Sequence, residues 1–113
     1  MSKHIAVVIS EDPRITARPV EALRIALGLC AGDHETTVIL LGPASALLVE
    51  DTEEIIDADI LEKYLPSLEH LEIPFILHHE SPSLEMRVGF RMRHETDEVI
   101  RQLIQSMDST IVF

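Results

Sequence analysis

The sequence predicts an α/β fold, three layers deep, in which a mostly parallel sheet of four to five strands carries helices on both faces. Three observations point there. Continuous apolar runs rich in β-branched residues, Ile5-Ala6-Val7-Val8-Ile9 first among them, read as strands covered on both sides. Between them lie stretches whose apolar residues recur at helical spacing, so strand and helix alternate along the chain. Apolar residues make up 46% of the 113 positions and aromatic residues only 4%. The core must therefore be built from layers of Ile, Leu, Val and Ala, which suits helices laid on a sheet.

The run at residues 5–9 ends in the turn-forming Ser10-Glu11-Asp12-Pro13 and is assigned as the central strand. Pro19 fits the first turn of a helix over residues 20–31, with Val20, Leu23, Leu27 and Cys30 on one stripe and Gly32 as its stop. Residues 36–41 form the second strand, and the return to a continuous apolar run implies a right-handed crossover to a parallel neighbour. Gly42-Pro43 opens a short helix through Leu48, after which Glu50-Asp51-Thr52-Glu53-Glu54 is an acidic, solvated stretch running toward Asp57 and Asp59. Asp59 is placed to cap a helix holding Ile60, Leu61, Tyr64 and Leu65, which Pro66 is expected to break or kink. Residues 73–77 give a third strand, with Pro74 tolerable near its beginning.

Over residues 86–93 the period changes to two. Met86, Val88, Phe90 and Met92 alternate with Arg87, Gly89, Arg91 and Arg93, the pattern of a half-buried edge strand. Thr96 before Asp97 and Glu98 resembles a helix start, and Val99, Ile100, Leu103, Ile104 and Met107 carry that helix to a last short strand at residues 110–113. The length predicts one core and one domain over residues 1–113.

Nine basic against twenty acidic side chains give a net charge of -11, a field that repels nucleic acid and anionic membranes. The first apolar run is too short for the hydrophobic segment of a signal peptide, and the stretch at 38–49 is interrupted by Gly42, Pro43 and Ser45, so no membrane span is expected. One cysteine, Cys30, can form no internal disulfide, which predicts a reducing, cytoplasmic setting.

In open parallel sheets ligands gather beyond the carboxyl ends of the strands, here the segments 10–16, 42–46 and 78–83. The cleft candidates are Ser10, Glu11, Gly42, His78, His79 and Glu80. The first segment contains no glycine, which excludes the backbone cradle of a dinucleotide or phosphate loop, and no cofactor is expected. His78-His79-Glu80 has two readings, a proton-transfer or metal site joined by His94, or a polar loop with solvated imidazoles; adjacent strand residues point to opposite faces, which argues against both imidazoles holding one metal. Glu11, Asp12 and Arg14 either contact a ligand or simply form a turn beside Pro13. Cys30, on an apolar helical stripe, reads as a small buried hydrophobe and not a nucleophile. Arg87, Arg91 and Arg93 form a basic stripe that either meets an acidic patch, such as residues 50–59 of a neighbouring subunit, or guards an edge strand.

A family resemblance runs through these segments. The first strand, Glu21-Ala22-Leu23-Arg24-Ile25-Ala26-Leu27-Gly28-Leu29, Val38-Ile39-Leu40-Leu41-Gly42 with Leu47-Leu48, Ile73-Pro74-Phe75-Ile76-Leu77 after Leu68 and Leu71, and the closing Met107-Asp108-Ser109-Thr110-Ile111-Val112-Phe113 together resemble the DsrE-like group of Tus and Dsr sulfur-relay subunits. The resemblance implies a small, mainly parallel α/β subunit that forms homo-oligomers or joins related DsrE-like subunits. It also implies, in active members, persulfide carriage on a cysteine just beyond the third strand. Here His78-His79-Glu80-Ser81 stands in that place. An imidazole cannot carry a persulfide, so the expectation is a non-catalytic member.

Overall fold

The computed structural model describes residues 3–78 and 86–113. Within them the order is β1 (His4–Ile9), α1 (Arg18–Ala31), β2 (Glu35–Leu40), a 3-10 helix (Gly42–Leu48), α2 (Ala58–His70), β3 (Phe75–His78), β4 (Met92–Glu95), α3 (Asp97–Ser106) and β5 (Ser109–Val112). The strands form one sheet in the order β4-β3-β2-β1-β5, and every neighbouring pair is parallel. Val7 sits beside Val38 on one side and Ile111 on the other, and Ile39 beside Ile76. β1 is thus interior, while β2 holds the middle.

The apolar runs lack alternation because both of their faces are covered. Val7, Ile9, Val38, Leu40, Phe75 and Leu77 point to one side and pack against α1, α2 and the 3-10 helix through Val20, Leu23, Leu47, Leu61, Leu65 and Leu68. Ala6, Val8, Ile39 and Ile76 point to the other, where Ile100 of α3 completes a smaller cluster. Each fully buried Leu, Ile or Phe of this kind stabilises the fold by roughly 1.5–3 kcal/mol over its exposed state. The expected three-layer architecture is therefore present, with unequal outer layers: three helical segments on one face and the ten-residue α3 on the other.

Several local expectations are corrected. The edge strand covers 92–95 and not 86–93. Met86 instead forms an isolated antiparallel bridge to Val49, Val88 is 89% exposed, and Gly89 takes φ +97°, a left-handed conformation that interrupts an extended run. The alternating apolar residues are used differently: Met86 and Phe90 fold onto the larger cluster, and Phe90 meets Phe75 edge to face at 5.9 Å.

Pro66 does not end α2. It lies on the exposed side, and the stripe Leu61, Leu65 and Leu68 stays buried across it, so tertiary packing overrides the lost backbone bond. The residue preceding α2 is Asp57, at φ +62° and making no side-chain cap, while Asp59 falls in the first turn. The left-handed residue that turns the chain after α1 is Asp33, at φ +65°, one past Gly32.

Candidate functional site

Because the sheet is parallel, β1 to β4 all deliver their carboxyl ends to one edge, and the histidine there belongs to the strand itself. His78 is the last residue of β3. Strand alternation turns its side chain to the same face as Ile76, the face that α3 covers. There His78 Nε2 lies 2.7 Å from Asp97 Oδ1, with the imidazole side chain 17% exposed and the carboxylate 81% exposed. Asp97 is fixed in place as the first residue of α3, whose start is secured by Thr96: its Oγ1 accepts a hydrogen bond from the Val99 N–H at 3.3 Å.

A polar contact whose carboxylate is this open to water contributes under about 1 kcal/mol to stability. Its effect is orientation, because an imidazole held by a carboxylate has a fixed ring plane, which suits it to accept or deliver a proton. Glu95 is the register partner of His78 across β3 and β4. Its carboxylate shares the same face and lies 3.4 Å from Arg93 Nε.

The other sequence candidates are dispersed around this edge. Ser10 follows β1, where its N–H donates to the Phe113 carbonyl at 2.9 Å and its hydroxyl lies 3.4 Å from the same oxygen. β2 separates β1 from β3, so two interstrand steps, about 10 Å, stand between Ser10 and His78. Glu11 is paired with Arg18 Nε at 2.7 Å. Asp12 receives both Nε and Nη2 of Arg14 at 2.9 Å as well as the Arg14 N–H, and its carbonyl accepts from Ile15 and Thr16, so this segment is a turn. Arg14's hydrogen bonds hold the Asp12 carboxyl below the ordinary carboxylate value.

Gly42 adopts φ +55° at the entry to the 3-10 helix, and its carbonyl accepts from the buried Ser45 hydroxyl at 3.2 Å. The segments after β1 and β2 do share a hollow of about 310 Å³, bounded by Arg14, Ala46, Val49 and the acidic Asp51, Glu53 and Glu54. His79 and Glu80 lie outside the described residues. His94 is the register partner of Leu77 and faces the opposite side of the sheet from His78, so the two imidazoles do not converge. Among the described residues no group of three or more His, Cys, Asp and Glu is placed to hold a metal ion.

The three arginines also part company. Arg87 is engaged within its own chain: the guanidinium meets Glu62 on α2 and donates to the Val49 and Glu50 carbonyls at 3.3 and 3.4 Å. The carboxylate it meets, Glu62, lies beyond the acidic stretch at 50–59, of which Arg87 touches only the Glu50 backbone carbonyl. Arg91 and Arg93 stand at the other edge of the sheet. Asp97 was missed as a site residue because its role depends on α3 crossing the face beneath His78. Only the Thr96-Asp97-Glu98 helix start hinted at an ordered carboxylate there.

No helix of the described residues is long and apolar enough to cross a membrane. No family model matches the chain, and no curated protein matches it. Among solved structures, the chain is similar to the ychN protein from E. coli, with a TM-score of 0.78 and 18% identity, over 100% of each chain. The shared feature is the fold, a five-stranded parallel sheet with helices on its faces.

Proposed function

We propose that this chain is a non-catalytic DsrE-like protein that works by assembling, with copies of itself or with related subunits, as an accessory to cytoplasmic sulfur relay. The full-length fold likeness carries this reading, taken with a chain that has no thiol at the end of β3. Sulfur transfer requires a thiolate nucleophile. The one cysteine, Cys30, lies on α1 and packs against the main core cluster. That position serves packing.

Support for assembly comes from β5. It is the last strand of the sheet among the described residues, which leave one side of its backbone unpaired, and its sequence Ser-Thr-Ile-Val has neither the charge nor the proline that guards an edge. Val112 on it is 65% exposed. The opposite edge, β4, reads Met-Arg-His-Glu and is guarded by charge. The sulfur half of the reading is tested by intact mass after exposure to a persulfide donor. The expected spectrum shows no added sulfur; a stoichiometric adduct on Cys30 would overturn the non-catalytic assignment.

The His78–Asp97 pair favours a second reading, a small-molecule site at the carboxyl edge of the sheet. It predicts that some ligand in a thermal-shift screen raises the melting temperature of the native protein and not of His78→Ala. Identical responses of the two proteins to every compound would remove it.

A further inference from the structure

α3 is too short to cover the sheet, and what it leaves open is a defined cavity. Ile100 is buried beneath the helix, while Leu103, Ile104 and Met107 are only partly buried. Beside Leu103 the structure encloses about 230 Å³ at the amino-terminal ends of β3 and β4, the edge of the sheet away from His78. The lining is mixed: Ile76, Pro74 and Leu103 supply its apolar part, and Thr37, Arg91 and Arg93 border it as well. Strand alternation puts Arg93, the register partner of Ile76, on the α3 side; Arg91 immediately precedes β4, lines this hollow and also borders two others, both shared with Glu72.

The two guanidinium groups differ in their engagement. Arg93 shares Glu95 at 3.4 Å. The side chain of Arg91 makes no hydrogen bond or ion pair with the described residues; only its carbonyl is used, accepting from the Phe75 N–H at 2.8 Å. In a chain of net charge -11, this arginine makes no ion pair with the described residues and borders the hollow. The geometry points to a binding site for a small monocarboxylate with an apolar tail. The tail occupies the space between Leu103 and Ile76, and the carboxylate meets Arg91, with Arg93 in support.

The guanidinium fork of Arg91 matches the two oxygens of a carboxylate. The volume falls below the usual range for drug-sized ligands, which selects a short chain. Apolar burial supplies the affinity, and the arginine supplies the choice of an anion over a neutral analogue. This site is independent of the assembly reading and of the His78–Asp97 pair.

The test is a titration of the full chain with sodium hexanoate, followed by amide NMR shifts and calorimetry, with hexan-1-ol and acetate as controls. The expected result is saturable binding of hexanoate, with the largest shifts at Ile76, Arg93 and Leu103. Hexan-1-ol and acetate should each bind at least about tenfold more weakly, a difference of about 1.4 kcal/mol. Arg91→Gln, at an exposed position, should keep the native spectrum and lose about tenfold in hexanoate affinity. Leu103→Trp, which fills the cavity, should abolish binding; Leu103→Met should retain it. Absence of saturation, equal affinity for the alcohol, an unaffected Arg91→Gln variant, or shifts at these residues that follow protein concentration and not hexanoate would each overturn the site.

Discussion

Asp12 and Arg14 form the clearest charge pair of the C-terminal edge, and its behaviour follows from geometry. Two side-chain bonds at 2.9 Å and one from the Arg14 amide favour the ionised carboxyl, so the folded-state pKa lies below the unfolded one. A depressed carboxyl stabilises the fold above its unfolded value, about 3.9, and that contribution is lost as pH falls through the folded value. A carbon-detected NMR titration should show Asp12 ionised to lower pH than a free aspartate, and Arg14→Ala should return its midpoint to the ordinary range. An unchanged midpoint would mean that the pair does not persist in solution. At this scale the sequence was legible where chemistry is local: Pro13 marked a turn, and Asp12 and Arg14 close it. It was not legible for Asp97, because that carboxylate reaches His78 only through a helix packed across the sheet, nineteen positions later in the chain.

Elements form here when their buried stripe is continuous, whatever their local propensities. α2 carries Pro66 in its interior, where proline removes a backbone bond and crowds the preceding turn. Leu61, Leu65 and Leu68 nevertheless keep one face in the core on both sides of it. Replacing the proline restores the missing N–H without disturbing that stripe. Pro66→Ala should therefore raise stability by about 1–2 kcal/mol, offset in part by a freer unfolded chain, as measured by the urea midpoint. A lower midpoint would show that the ring itself packs. The same rule explains which elements could be read in advance. The buried runs of β1, β2 and β3 are apolar on both faces and admit no other placement. The alternating residues 86–93 did admit another: Met86 and Phe90 are partly buried by folding onto the larger cluster, with Gly89 breaking the run, and period alone cannot distinguish that from a strand.

For the molecule as a whole, charge and edges divide the surface. The net charge of -11 gives the chain a field that repels polyanions, and Arg87 engages Glu62 and the carbonyls of Val49 and Glu50, tying the segment before β4 to α2. β4 is an edge guarded by Arg93 and Glu95, whereas β5 is an edge guarded by nothing in its own sequence. An unguarded edge pairs with another chain or aggregates. The most direct measurement of the assembly claim is light scattering after size exclusion at tens of micromolar protein, on the native chain and on Val112→Lys. The native protein should elute as a dimer or larger species, with Val112→Lys shifted toward monomer. A strict monomer across that range would contradict the account.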